Sequence, residues 1–483
     1  MHVISIEDVQ TYCQLSRLCL NLSVLDASRI PNYTFDMQHR RLFILLLLFL
    51  ASMAACSPGH VGGNEIAFLR DGHLWTIDPD GANAFEVFGD NSTPVVGYGW
   101  SPTHQILTFR TLDAAFAKTS AAKNLASNPI TEMPGDLPTT LNTIGIDGGT
   151  PIPIIFSSPS VQNSNAWWNT SGSRLIYRQE STKGTPSPNT VLWWISQNDQ
   201  PGGIARKLLP GSFSIPSFAP DNSQAIGNAG RGLFTTALDG TNVQYTGQNA
   251  LPGHPLIATL ERVLWQPAHN HPSILYAIAA TATQARTSGA TPIMVQLMLN
   301  KLNGQATILA NCACSQFAWA PDGNHILYST GSTYTVLNLT SGSSFSISGE
   351  DGSVPYWSPD SQFLLLDGPH SITLIQIANQ QQQVLLSANG TSTGAASQAA
   401  IPGVNALLQP ASNSLWAADS RHFLFLTRGR LLWQGKHLNA GKGLYTVSID
   451  GHGQPQGLPA LVDTGNDMQA GWSYEDPNVS FLF

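Results

Sequence analysis

Charge is scarce in this sequence. Lys, Arg, Asp and Glu make up 11% of 483 residues, and 22 basic against 30 acidic side chains leave a net charge of −8. Binding to a phosphate backbone rests on clustered Lys and Arg, so nucleic acid is not expected as a partner. Cysteine is scarce too. Five are too few for a disulfide scaffold, and three of them, Cys13, Cys19 and Cys56, precede the region that reads as folded. No long amphipathic helix pattern occurs. The chain also lacks a Gly-x-Ser-x-Gly elbow, a phosphate loop and a His-Glu-x-x-His helix, the signatures of common hydrolase, nucleotide and zinc chemistries. The expected sets of catalytic, cofactor-binding and metal-binding residues are therefore empty.

What is abundant is Gly (43), Pro (31) and Trp (12), a composition that suits many short strands joined by tight turns. One stretch sets the pattern: Gln316-Phe-Ala-Trp-Ala-Pro-Asp-Gly-Asn-His-Ile-Leu-Tyr-Ser. A strand ends at Trp319, the segment Ala-Pro-Asp-Gly reverses the chain, and an apolar strand begins at Ile326. Pro321 presets φ, while Asp322 and Gly323 supply the side-chain acceptor and the permissive backbone that a reversal needs. The same anchor returns at Trp100, Trp168, Phe218, Trp265, Trp357, Trp416 and Trp472. Asp-Gly or Asn-Gly pairs recur after the third strand of several units, at Asp147, Asp239, Asn303 and Asp450, and such pairs favour hairpins.

Four strands per unit make one blade. Seven complete units are followed by Trp472, and the chain opens with strands near Glu65 that lack a first strand. Eight blades result if head and tail of the chain share one sheet, which removes free edges. Seven is the alternative, if Val479–Phe483 and Ile66–Leu69 compete for one strand position. Trp168 and Trp265 lack the Pro-Asp-Gly turn, so altered loops are expected there. The longest insert runs from about Thr111 to Leu141, and Leu112-Asp-Ala-Ala-Phe-Ala-Lys within it reads as a short helix. Another insert, Ser387 to Ser412, is rich in Ala, Ser, Gly and Thr.

Trp-Ser-Pro-Asp before an apolar strand, then a strand ending Asp-Gly, resembles the TolB-like β-propeller repeats over about residues 65–483. That resemblance implies an all-β propeller of four-stranded antiparallel blades. TolB itself is similar only in this part, since its extra N-terminal α/β domain has no room between Cys56 and Glu65, so its role in the Tol-Pal machinery is not carried over. Oligogalacturonate lyase, another propeller similar to these repeats, gathers histidines around manganese. Here His254, His269 and His271, with His104, His325, His370, His422 and His437, show no matching ligand spacing, and solvated turn histidines are the competing reading.

Residues 37–56 have a basic start, an apolar run from Leu42 to Ala55 and small residues before a cysteine, the layout of a signal peptide. The run is shorter than the roughly 20 residues that a membrane-crossing helix needs. The small residues before Cys56 resemble the lipobox of bacterial lipoproteins, which implies acylation of that thiol. Met53 departs from the usual Leu, Val or Ile, which leaves ordinary signal cleavage as the alternative. Residues 1–36 fit no signal and read as an extension ahead of a true start at Met37, or else as a cytoplasmic prefix. Residues 57–64 form a tether that reaches at most roughly 26 Å. Export and lipid anchoring on the extracytoplasmic face of a bacterial membrane are expected.

Cys312 and Cys314 are read as buried small side chains, with a disulfide or a metal role as alternatives. Trp193-Trp194 is read as inter-blade packing, with an aromatic sugar platform as the alternative. The function expected is that of a monomeric binding module whose loops engage an envelope protein or glycan. The alternatives are a propeller enzyme such as a metal-dependent polysaccharide lyase, and a structural or sensory part of an envelope assembly.

Overall fold

The turn after each anchor explains why the strands pair as they do. In the computed structural model, Ser101 N–H donates to Ile106 O and His104 N–H donates back to Ser101 O. The same two bonds close the turns at Asn169, Ala219, Ala320, Ser358 and Ala417. In these six turns the fourth residue past the anchor has positive φ: His104 (57°), Gly172 (67°), Asn222 (58°), Gly323 (65°), Ser361 (59°) and Ser420 (58°). That conformation selects Gly or a short polar side chain, with His104 as the exception. The turn after Trp168 is thus regular, contrary to the expectation from its sequence. Asn169 Oδ1 accepts from Arg174 N–H at 2.8 Å, doing what Asp does elsewhere. After Trp265 the loop is longer, since Gln266 N–H donates to Ser273 O.

The structure describes residues 64–119, 122, 137–158, 161–181, 191–197, 206–207, 217–228, 233–245, 259–267, 273–280, 294–301, 306–311, 314–388, 408–409, 414–427, 431–437, 442–465 and 467–473. The extension, the signal segment, Cys56 and most of the tether lie outside them, as do His254, His269, His271, Cys312 and Val479–Phe483. So do the side chains of Trp193, Trp194, Cys314 and His437.

The strands form eight antiparallel sheets, the blades of a β-propeller. Blade 1 is Ile66–Arg70, His73–Ile77 and Phe85–Phe88, with Met468–Trp472 as its first strand. Blade 2 is Val95–Trp100, Ile106–Leu112, Thr139–Gly145 and Gly148–Ile155; blade 3 is Val161–Trp168, Arg174–Ser181, Val191–Gln197 and Arg206–Lys207. Blade 4 is Ser217–Phe218, Gln224–Asn228, Leu233–Ala237 and Gln244–Tyr245; blade 5 is Thr259–Trp265, Ser273–Ala280, Met294–Lys301 and Ala306–Asn311. Blade 6 is Cys314–Trp319, His325–Thr330, Thr333–Asn338 and Ser344–Ser348. Blade 7 is Val354–Trp357, Phe363–Asp367, Ser371–Gln376 and Gln381–Ala388; blade 8 is Leu408–Gln409, His422–Thr427, Gly443–Ser448 and Ala460–Asp463. Blade 7 departs from the four-stranded rule. A hairpin from within blade 8, Leu431–Trp433 and Lys436–His437, pairs with its outer strand and makes a six-stranded sheet.

The core lies between blades. One apolar cluster joins blade 1 to blade 2 through Leu69, Val87, Tyr98 and Phe109, and similar clusters link each later pair. A single large cluster spans blades 7, 8 and 1, bringing Phe363, Phe425 and Leu415 together with Ile66, Phe68 and Trp472. The Trp anchors are buried in these seams, and Phe218 at 9% is the most exposed anchor. Three indoles also donate to the preceding blade: Trp265 to Ser217 O (3.0 Å), Trp319 to Leu264 O (3.3 Å) and Trp416 to Tyr356 O (3.0 Å). Burying one indole removes about 150–250 Å² from water, worth roughly 4–6 kcal/mol of transfer free energy.

The strand Met468–Trp472 is held from several sides. It pairs with blade 1 (Ile66↔Trp472, Ala67↔Gly471), and Trp472 N–H donates to Ser414 O of blade 8 at 3.0 Å. From blade 2, the Tyr98 hydroxyl lies between Ala67 O (2.6 Å) and Gln469 O, while the His104 ring meets Ser473 O. Arg70 adds Nε to Asp467 at 2.9 Å and Nη2 to Asp463. A side chain at Gly471 would stand 3.3 Å from the Tyr98 oxygen, so that approach depends on the missing Cβ.

Candidate binding face

The anchor of each first strand faces one residue of the second: Trp472 faces Ile66, Trp100 Leu107, Trp168 Leu175, Phe218 Ala225, Trp265 Ile274, Trp319 Ile326, Trp357 Leu364 and Trp416 Phe423. Three residues further along, roughly 10 Å toward the end opposite the anchor turns, lies an equivalent position in every blade. From blade 1 to blade 8 its occupants are Leu69, Arg110, Arg178, Asn228, Ala277, Ser329, Asp367 and Leu426. The scaffold accepts Leu or Ala here. Five blades nonetheless carry a charged or hydrogen-bonding residue at this register position, a polar arc over blades 2 to 7 with Ala277 as its one apolar member; Arg110, Ser329 and Asp367 are buried there, and Arg178 is half-buried.

Arg110 begins the arc at 8% exposure. Its Nη1 donates to Asn163 O at 3.4 Å, and burial, with the nearby charge of Arg178, lowers its pKa to about 10. Polar groups surround it. Thr139 Oγ1 donates to Asn163 O (2.8 Å), Asn163 Nδ2 to Thr139 O (2.6 Å) and Gln179 Nε2 to Asn163 Oδ1 (3.2 Å). The insert of blade 2 starts directly beyond Arg110. Asp113 caps the short helix Ala114–Ala117 by accepting from the N–H groups of Ala115 and Phe116, and it also accepts from Ser157 Oγ. Burial opposes its charge, but those bonds outweigh it and hold Asp113 below the usual carboxylate range. Leu112, Ala122 and Leu137 then pack on Val96, seating the insert against the first strand of blade 2.

Asp367 ends the arc. It is 5% exposed, and its Oδ2 has no hydrogen-bond partner among the described residues. Burial, helped by the Glu350 charge, pushes its pKa well above the normal value. Tyr356 is raised as well, first by burial and then by Asp367. At the same end Glu350 accepts from His370 N–H (3.1 Å) and Ser371 Oγ (3.0 Å), and its other oxygen meets the His370 ring.

Two other described histidines are engaged within their own blades. His325 Nδ1 lies 2.7 Å from Asp322 and His422 Nδ1 2.6 Å from Asp419, both beside anchor turns. No group of three or more His, Cys, Asp and Glu among the described residues is arranged to hold a metal. At the turn end, a groove of about 460 Å³ between blades 6 and 7 is lined by Asp322, His325, Asn338, Phe345, Asp360 and Gln376. Sequence reasoning found none of the arc. The signal that exposes it is a column of unlike residues at one register position, readable once each anchor is aligned to its second strand.

Fold and site together define the class: an eight-bladed β-propeller with a polar arc at the end opposite its anchor turns. No family model and no curated protein matches the chain. Among solved structures, a eukaryotic initiation factor is similar at TM-score 0.47 and 11% identity, covering 86% of this chain and 99% of that one. An oligogalacturonate lyase in complex with manganese is similar at TM-score 0.40 and 12% identity, covering 61% and 78%. The oligogalacturonate lyase of Vibrio parahaemolyticus gives 0.40 and 10%, covering 61% and 79%. The propeller assignment comes from the chain's own sheets and not from these similarities.

Proposed function

We propose that this chain is an exported lipoprotein with TolB-like repeats, monomeric, that binds an envelope protein or glycan through the polar arc. Residues 37–56 are its signal, Cys56 its acylated residue, 57–64 its tether and 65–483 its propeller. The sheet shared by Ile66–Arg70 and Met468–Trp472 closes the ring. The observation carrying the binding role is the register column: Arg110, Arg178, Asn228, Ser329 and Asp367 occupy a position where the same scaffold elsewhere holds Leu or Ala. Of these, Arg110, Ser329 and Asp367 are buried; burying polar groups costs stability, and natural proteins retain such costs mainly at functional sites. A rigid ring with loops at one end is a common platform for recognition.

Two measurements test this. Cys56→Ala is expected to move the protein from the membrane fraction to the soluble extract, and unchanged membrane retention rejects the anchor. Crosslinking in intact cells is expected to capture a partner with the parent protein and at least fivefold less with Asn228→Ala or Asp367→Asn. Asp419→Ala at the turn end is expected to capture normally. Protease sensitivity of the captured material separates a protein from a glycan. Equal capture by all variants removes the arc from the binding role.

A further inference from the structure

We propose that the groove between blades 6 and 7, at the anchor-turn end, is a second binding site that holds a short neutral saccharide. It stands apart from the polar arc and does not depend on the role proposed for that arc. The groove offers about 460 Å³, within the roughly 300–1,000 Å³ usual for small-ligand sites. Its walls are fixed across the seam. Asp322 N–H of blade 6 donates to Ser361 Oγ of blade 7 at 2.9 Å, and Ile377 N–H donates to Gln362 O at 2.9 Å. Within blade 6, His325 Nδ1 donates to Asp322 Oδ2, which leaves Nε2 to accept from Asn338 Nδ2 at 2.9 Å.

Three other seams are filled where this one is open. The reversal between the third and fourth strands of blade 1 brings Gly81 against blade 8, where an added Cβ would stand 2.6 Å from Val462 O. A Cβ on Gly148 of blade 2 would stand 3.3 Å from Phe85 of blade 1, and one on Gly453 of blade 8 would stand 2.9 Å from Phe363 of blade 7. The reversal of blade 7, residues 377–380, contains no glycine. Gln380 there takes the left-handed conformation (φ 60°), which costs a residue with a side chain more than it costs glycine. Ala378 and Gln380 line the groove instead of closing it.

The lining selects the ligand class. Val336 and Ile377 form an apolar floor continuous with the core between the two blades, and half-buried Phe345 packs on the same cluster. An aromatic ring beside a polar wall suits the C–H face of a sugar ring. The amides of Gln362, Gln376 and Gln380 supply donors and acceptors together, as a ligand made of hydroxyls requires. Those of Gln362 and Gln380 bond to no described residue, and Gln376 uses only Oε1, toward Asn379. No Lys or Arg lines the groove, and the carboxylates of Asp322 and Asp360 oppose an anion. Both carboxylates already have partners, Asp322 in His325 and Asp360 in Arg421 at 2.9 Å, which fits them to accept from a hydroxyl rather than to hold a metal ion.

The test titrates cellobiose, maltose and N,N′-diacetylchitobiose into the full chain by calorimetry. At least one is expected to bind saturably. Phe345→Ala is expected to weaken that binding about tenfold. Gln380→Gly, which relieves the backbone, is expected to melt no lower than the parent and yet to bind the sugar several-fold less tightly. Phe156→Ala, which removes a 64% exposed aromatic next to blade 2, is expected to bind like the parent, as are Asn228→Ala and Asp367→Asn in the arc.

No saturable binding of any of the three sugars, or parent-like binding by both Phe345→Ala and Gln380→Gly, overturns the site. Tighter binding of glucuronate than of glucose overturns the neutral class. Binding of an uncharged peptide that Phe345→Ala abolishes, with no sugar bound, replaces the saccharide by a peptide. Sugar binding lost in Asn228→Ala and Asp367→Asn but kept in Gln380→Gly moves the sugar to the arc and rejects the groove.

Discussion

Trp472→Ala is expected to cost about 3–5 kcal/mol, as large-to-small changes at buried aromatic sites do, and to make the protein self-associate more than the parent does. Trp472 is 1% exposed and belongs to the cluster that joins blades 7, 8 and 1. Its strand also supplies the partner for Ile66–Arg70, so loosening it uncovers a row of unpaired backbone groups in a strand with four apolar residues. Substitution of an equally buried anchor inside a continuous blade, Trp319→Ala, should cost a similar amount without opening such an edge. Denaturant unfolding with light scattering checks both. Tyr98→Phe, which removes the hydroxyl between Ala67 O and Gln469 O, should cost about 1–2 kcal/mol. A Trp472→Ala protein that associates no more than the parent and unfolds within about 1 kcal/mol of it would leave the shared sheet without a role in closing the ring.

The second large effect is an inverted pH dependence. Two buried carboxyl groups have pKa values raised in the folded state: Asp367, well above normal through burial and Glu350, and Asp467, raised to about 6. For Asp467, burial is the larger influence, and the hydrogen bond and charge of Arg70 return only part of it. Arg70 itself gains, because Asp467 and Asp463 more than offset its own burial. A carboxyl whose pKa is higher folded than unfolded favours the folded state fully below its unfolded value near 4, and that contribution is lost as pH rises through the folded value.

Asp90, Asp113 and Asp221 act in the opposite sense. Their values are lowered, so their contribution is present above pH 4 and fades below it. Stability should therefore peak between about pH 4 and 6. The thermal midpoint is expected to be higher at pH 5 than at pH 8. Asp367→Asn should raise the midpoint at pH 8 and remove most of the difference. Asp467 alone, raised to about 6, accounts for at most roughly 3 kcal/mol. A parent protein more stable at pH 8 than at pH 5, or an Asp367→Asn variant with the parent's pH profile, contradicts this account of the buried acids.

The cadence of anchors and turns was legible because its causes are local. A positive φ four residues past the anchor and two short backbone bonds need only a few adjacent residues of suitable chemistry, and Asn169 with Gly172 meets the requirement as well as Pro-Asp-Gly does. The eight sheets follow from repeating that unit. The short helix after Leu112 was legible for the same reason, with Asp113 next to the helix it caps.

The arc was not legible, because membership depends on register between strands separated by inserts of different length. In Phe363-Leu-Leu-Leu-Asp-Gly, the Asp-Gly pair looks like another exposed turn. Pairing of Val354 with Asp367 instead places the carboxyl inside the protein. Arg110, in the alternating stretch Ile106–Leu112, looks like an ordinary surface cation until blade 3 covers it. The hairpin of Leu431–Trp433 and Lys436–His437 is a similar case, since nothing near it in sequence indicates that it pairs with the outer strand of another blade.

By itself, then, the order of residues determined the turns, the strands and their grouping in fours, because each depends on contacts within a few residues. Only the tertiary structure decided which polar side chains left water and which of them came to share one end of the propeller. Burial and proximity across blades arise from packing between segments up to hundreds of residues apart, as Tyr98 and Gln469 are, and no local pattern encodes them.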